Sequence, residues 1–156
     1  MKNKTIISHI LILFVFISLS FISCKKNDDV DSFSEEMELL NEYIQTNNIN
    51  VSPTASGLYY IELQAGTGDF AKTGDFVTVK YTGKLLNGNI FDSGTYSFTL
   101  GRGTVIAGWD EGVAMMKKGG KAQLIIPSTI GYGAYGSGAI APYTTLIFNV
   151  ELLDIK

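Results

Sequence analysis

The chain contains one cysteine and one histidine, Cys24 and His9, and neither residue type recurs after position 24. A lone cysteine cannot close an intramolecular disulfide, so a small scaffold stapled by its own bridges is excluded. Residues 25–156 offer no imidazole and no thiol. That stretch therefore cannot build a Ser-His-Asp or Cys-His nucleophile, nor a zinc site based on His or Cys. Charge is sparse too: acidic and basic residues make up 17% of the chain and the formal net charge is −3. No basic patch suggests a nucleic-acid partner. What remains is a chain of 156 residues, 46% hydrophobic and with 17 glycines, which suits one turn-rich globular domain with appendages. Any chemistry it performs must run largely without a proton shuttle.

The first 23 residues read as a signal peptide. Lys2 and Lys4 precede an unbroken apolar run over residues 10–17, and His9 and scattered serines argue against a retained transmembrane helix. Cys24 closes the sequence FISC, which looks like a bacterial lipoprotein cleavage site, with Phe21 standing where an aliphatic residue is usual. Cys24 is thus the expected lipidation site. The expected location is the bacterial cell envelope, as an outer-membrane lipoprotein facing the periplasm or the cell surface. Loss of Lys2 and Lys4 takes the net charge to −5, ten basic against fifteen acidic side chains. His9 leaves with the leader.

Residues 24–50 are expected to form a tether and a short amphipathic helix. The charged run 25–31 reads as tether, and Ser32 or Ser34 as an N-cap, with Glu35 completing a capping box after Ser32. Phe33, Met37, Leu40 and Ile44 then fall on one helical face, with Glu35, Glu36, Glu38 and Glu42 on the solvated remainder. The helix should end near residues 46–48, and at about three turns needs a neighbour to dock on. Residues 51–57 read as linker. From Leu58 the period becomes that of strands, over residues 58–63, 76–86, 97–100, 122–126 and 144–153. Val77, Val79 and Tyr81 share one face, and Asn87-Gly88 signals a tight turn. Residues 107–116 have helical spacing, with Trp109, Val113 and Met116 on one side, and Lys117-Lys118-Gly119-Gly120 should end that helix. The reading is an α+β fold: an antiparallel β-sheet curled around one short α-helix, preceded by a short N-terminal helix.

Five segments carry a more specific signal. Residues 81–93 read YTGKLLNGNIFDS and residues 103–119 read GTVIAGWDEGVAMMKKG. LIIP follows at 124–127, GYG at 131–133 and TLIFNVEL at 145–152. This order of aromatics, glycines and one isolated acid resembles the FKBP-type peptidyl-prolyl cis-trans isomerases over nearly the whole of residues 51–156. The resemblance implies that Trp109 forms the floor beneath a proline ring, with Tyr81, Phe91 and Phe148 as walls. It makes Val105 and Ile106 an aliphatic pair, with the Ile106 backbone N–H as donor to a substrate carbonyl. Tyr132 matches a tyrosine whose hydroxyl contacts ligand carbonyls, and Asp92 matches an acid beside the pocket. Tyr96 and Ile140 match further substrate-binding positions. Two loops depart from the pattern: 92–98 is shortened and lacks an arginine that often partners the acid, and 135–141 is compact.

The function implied is acceleration of X-Pro isomerisation during folding of exported proteins. The expected partners are proline-containing polypeptides of the envelope, macrolide inhibitors, and the membrane through an N-terminal lipid. Neither a cofactor nor a metal is expected. The alternative is a chaperone or adaptor that holds proline-containing segments with little turnover. Each residue also has a plainer reading, the aromatics as core and Asp92 as a turn residue before Ser-Gly. Other patterns carry little. GRG at 101–103 and GYG at 131–133 lack the strand–loop–helix setting of a nucleotide site, and the adjacent Asp110 and Glu111 do not face each other as paired carboxylates.

Overall fold

The computed structural model describes residues 28–156. The expectations for the signal peptide and for Cys24 lie outside the described residues. Helix α1 runs Asp28–Thr46, followed by strands β1 (Tyr59–Gln64), β2 (Thr67–Phe70), β3 (Phe76–Leu85) and β4 (Ile90–Thr99). Helix α2 (Ala107–Ala114) then leads to β5 (Lys117–Lys118), β6 (Lys121–Ile126) and β7 (Leu146–Ile155). Five strands form an antiparallel sheet in the order β1-β6-β7-β3-β4, and β2 pairs with β5 in a separate ribbon.

Strand alternation divides the apolar residues between two clusters. On one face Val77 and Val79 of β3, Leu124 and Ile126 of β6, and Leu146, Phe148, Val150 and Leu152 of β7 pack with Trp109 and Val113 of α2. The intervening residues Ile125 and Ile147 point the other way and meet Leu40 of α1, flanked by Met37, Tyr43 and Ile44. The sheet therefore carries one helix on each face, and the apolar stripe expected of the first helix is what docks it. Phe33 is excepted, being partly exposed at the edge of that stripe.

Helix α1 is longer than its sequence suggested. Its first residue is Asp28, so residues 28–31 are helical rather than tether, and Ser32 and Ser34 lie inside it instead of capping it. Ser34 Oγ donates to the carbonyl of Val30 at 2.9 Å, the i−4 back-bond that lets a serine sit within a helix. The C-terminus falls as expected. Asn48 adopts a positive φ of 52°, its N–H bonds the Gln45 carbonyl, and Ile49 N–H reaches back to Ile44 at 3.0 Å. That is a Schellman stop, with Ile44 and Ile49 both packed against the cluster around Leu40.

Two further boundaries moved. Strand β4 begins at Ile90 rather than at residue 97, because the turn at Gly88 (φ 86°) zips β4 against β3 from Ile90↔Lys84 to Thr99↔Phe76. Phe91 and Asp92 thus sit on a strand; the polar, glycine-containing stretch 92–97 simply hides the alternation. Lys117 and Lys118 do not finish the helix. They pair with Phe70 and Thr67 of β2, with Lys117 Nζ 4.7 Å from the Phe70 ring and Lys118 bonded to Asp154 at 2.6 Å.

Helix α2 approaches the sheet closely because two of its inward residues are glycines. A methyl group at Gly108 would lie 2.7 Å from Ile126 Cγ2 and 3.0 Å from Cγ1, close to the backbone of a fully buried strand residue. Alanine normally favours a helix over glycine by ~1 kcal/mol. Here overpacking opposes it by ~1–3 kcal/mol. Gly108→Ala should therefore lower the free energy of unfolding despite the better helix former. Equilibrium urea unfolding of the variant checks this, and a midpoint above wild type would refute the close-packing argument.

Candidate functional site

The sheet and α2 meet around a cavity of about 240 Å³ lined by Tyr81, Phe91, Asp92, Tyr96, Thr104, Val105, Ile106, Trp109, Tyr132 and Phe148. Strand β3 supplies Tyr81, β4 supplies Phe91, Asp92 and Tyr96, and β7 supplies Phe148. Thr104, Val105 and Ile106 come from the segment entering α2, and Tyr132 from the long β6–β7 loop. Nine of the ten residues proposed from sequence thus converge, although they span 68 positions of chain from Tyr81 to Phe148. A larger hollow of about 650 Å³ between α1 and the β3–β4 turn includes none of them.

Trp109 is the hub. It sits in the first turn of α2, its backbone N–H bonded to the Ile106 carbonyl at 2.9 Å, and only 6% of its surface is exposed. Tyr81 meets the indole edge to face at 5.0 Å and 74°, and Phe148 at 5.2 Å and 83°. Phe91 closes on Phe148 at 5.5 Å and 89°. Such edge-to-face pairs are each worth ~0.5–1.5 kcal/mol beyond area burial. Gly83 makes room for them, since a methyl there would come within 2.6 Å of Phe91 and 2.8 Å of Phe148. Phe98 backs the indole at 5.9 Å. The indole N–H is buried without a hydrogen-bond partner among the described residues, one polar edge in an otherwise apolar floor.

The single acid on the wall is fully engaged. Tyr81 donates its hydroxyl proton to Asp92 Oδ2 at 2.7 Å, and Ser93 N–H donates to Oδ1 at 2.8 Å. Residues 92–98 contain no arginine to partner the acid, so it is oriented by a neutral phenol. The hydrogen bond to Asp92, reinforced by burial, pushes the Tyr81 phenol up to about 12.

The loops that complete the cavity are held by acids for which sequence periodicity suggested no role. Asp110, read as an exposed helix-start residue, accepts the backbone N–H groups of Gly101 at 2.8 Å and Gly103 at 2.9 Å. Both glycines have positive φ, so the turn leading to Thr104 and Ile106 is fixed by backbone freedom and one carboxylate together. Away from the cavity, Glu111 takes the Ser56 hydroxyl at 2.5 Å. Ile140 is the residue the site does not gather. It is buried in the core cluster, its backbone bridged to Ser137, and lies behind the lining rather than in it. The compact turn 136–141 draws it inward. Thr104 and Phe98 were not proposed from sequence; Thr104 adjoins the aliphatic pair, and the 3.6-residue and two-residue periods give no reason to single either out.

The chain is similar to proteins of known family. Residues 68–153 match the family model described as FKBP-type peptidyl-prolyl cis-trans isomerase. An "FK506-binding protein" of Neisseria meningitidis is 52% identical over 105 residues, covering 64% of this chain and 96% of that protein. A "probable FKBP-type peptidyl-prolyl cis-trans isomerase" of Haemophilus influenzae is 49% identical over 113 residues, which is 69% of this chain but only 46% of the relative. The crystal structure of FkpA from Escherichia coli superposes with a TM-score of 0.72 at 38% identity, over 83% of this chain and 61% of that one. The matched segment takes in more than half of the chain and every residue that lines the cavity, and the chain belongs to the FKBP-type peptidyl-prolyl cis-trans isomerases.

Proposed function

We propose that the aromatic cavity lowers the barrier to X-Pro rotation by accepting the proline ring on the Trp109 floor between Tyr81, Phe91 and Phe148. The observation that carries this is the ring of edge-to-face contacts enclosing about 240 Å³ around a nearly buried indole. The uncatalysed barrier is ~18–20 kcal/mol because resonance gives the C–N bond double-bond character. Twisting the amide destroys that resonance and reduces its charge separation. An apolar wall thus penalises the planar, strongly polar ground state more than the twisted transition state, and each ~1.4 kcal/mol of difference is tenfold in rate. Ile106 supplies the donor for the displaced carbonyl: as the residue capping α2 (φ −60°, ψ 147°), its N–H has no acceptor within the helix. Tyr132, partly exposed on the rim, supplies a second. Tyr81 is committed to Asp92 and serves as wall.

Clients would be proline-containing polypeptides met in the cell envelope, and macrolides that mimic proline would compete for the same floor. Anchoring through lipid on Cys24, in an outer-membrane lipoprotein, is supported by the basic and apolar leader and the FISC sequence.

Removing the Tyr132 hydroxyl should reduce kcat/KM by ~1–2 kcal/mol at most, because one hydrogen bond is lost and the ring is kept. Trp109→Ala should lose more, part of it stability, since deleting a buried aromatic costs ~3–5 kcal/mol. A protease-coupled assay on a short X-Pro peptide, with folding checked by circular dichroism, measures both. Full activity in both folded variants would sink the assignment.

Isomerisation transfers no proton. The hydrogen bond to Asp92 and burial push the Tyr81 phenol up to about 12, far above the neutral range. We expect kcat/KM on a non-titrating peptide to be flat from about pH 5.5 to about 8.5. The linkage to stability has a definite sign. With the folded phenol raised above 10.0, the Tyr81–Asp92 contribution is complete below 10.0 and is lost as pH climbs through about 12. A bell-shaped rate profile centred near neutrality would instead indicate acid–base catalysis.

Anchoring has its own test. Cys24→Ser should move the protein from the detergent phase to the aqueous phase on Triton X-114 partition, since firm attachment needs more than one acyl chain. Unchanged partition would remove the lipid from Cys24.

A further inference from the structure

Helix α1 precedes the segment shared with the family, residues 68–153, yet one of its side chains reaches the loop over the cavity. Glu36 is 3% exposed although its helical position reads as part of a solvated acidic face. Its Oε1 accepts the backbone N–H of Ser128 and the hydroxyl of Thr145, both at 2.7 Å, and its Oε2 accepts the Ser128 hydroxyl at 2.5 Å. Ser128 and Thr145 are themselves buried. They are the two feet of the β6–β7 connection: Ser128 follows Pro127 at the end of β6, and Thr145 immediately precedes β7. Everything between them, including Tyr132, hangs from these two points. Within the loop, Tyr143 N–H to the Gly133 carbonyl at 2.9 Å ties the outgoing strand of the loop to the incoming one.

We infer that Glu36 is a positioning residue for the isomerase site: by clamping both feet of the 128–145 loop, it holds Tyr132 over the cavity. This rests on the reading of that cavity as the X-Pro site. One acceptor joining two loop ends removes conformations in which the loop swings away from the indole. The ordering cost of those conformations would otherwise be charged to substrate binding. A group that only orders the rim acts on ground state and transition state alike. Its loss should therefore appear in KM with little change in kcat. The clamp is also separable from helix docking, because Leu40 seats α1 on Ile125 and Ile147, strand residues outside the 128–145 loop that Glu36 bonds.

The test uses the full chain with Glu36→Ala, Glu36→Gln and Leu40→Ala. Glutamine retains one acceptor for Ser128 N–H and Thr145, and its amide donates to the Ser128 hydroxyl, so all three bonds survive. Four quantities are measured: hydrogen exchange of amides 128–145 against those of β3, the urea midpoint, and kcat and KM on an X-Pro peptide. For Glu36→Ala we expect exchange in 128–145 to quicken about tenfold with β3 unchanged, and KM to rise at least about threefold, the weight of one net hydrogen bond. Glu36→Gln should restore both. Leu40→Ala should lower the midpoint and leave KM and loop exchange as in wild type.

Wild-type loop exchange and KM in Glu36→Ala would overturn the inference, and so would Leu40→Ala reproducing its changes. Should Glu36→Ala fail to fold, Thr145→Val removes one donor at similar shape and must show the same changes at smaller size. Their absence would be equally fatal. A wild-type chain inactive on the peptide would fault the cavity reading instead, and loop exchange would then decide the clamp alone.

Discussion

The close seating of α2 on the sheet is the constraint from which the rest of the molecule follows. Gly108 and Gly112 place no side chain between the helix and β6, so Ile126 and Leu124 lie directly against the helix backbone. That approach brings Trp109 within reach of Tyr81 on β3 and Phe148 on β7, strands that are neighbours in the sheet. A helix held further out by ordinary side chains would open the aromatic ring and admit water to the floor. The cavity is thus a by-product of a packing distance, and the same distance closes the main apolar cluster behind it.

Three carboxylates around the cavity and its loops hold structure in place. Asp110 fixes the turn before α2, Glu36 ties both ends of the β6–β7 loop, and Asp92 orients Tyr81 while accepting from Ser93. Each accepts hydrogen bonds from neutral donors, an arrangement whose strength comes from charge-assisted bonds in a partly dry setting. This accords with a reaction that needs a shaped, apolar enclosure and a few well-placed donors. It also explains how a chain whose only imidazole and only thiol lie in its first 24 residues can belong to an enzyme family.

Much of this was legible in order along the chain. The alternation of Val77, Val79 and Tyr81, the Asn87-Gly88 turn and the helical spacing around Trp109 are local patterns, and local steric preferences suffice to read them. The aromatics of the cavity were recognisable jointly, by their order and spacing, where singly each would pass for core. Other features were not legible. Strand β4 looked short because residues 92–97 lack apolar alternation, and its pairing is supplied by β3. Lys117 and Lys118 looked like a helix end until β2 offered them a partner. Ile140 matched a pocket position but turned inward with its compact loop.

Glu36 marks the division most clearly. From sequence alone it is one of four glutamates on a helical face that water should solvate, and nothing distinguishes it from Glu35 or Glu38. Its burial requires Ser128 and Thr145, which lie 92 and 109 residues away and come together only when β6 and β7 pair. The sequence by itself determined the secondary periods, the turns and the chemistry on offer: aromatic rings, backbone donors and no imidazole or thiol beyond residue 24. The tertiary structure alone decided which acid is buried, which loop is held and which aliphatic residue faces the cavity. Those outcomes depend on partners distant in the chain, and no local preference encodes them.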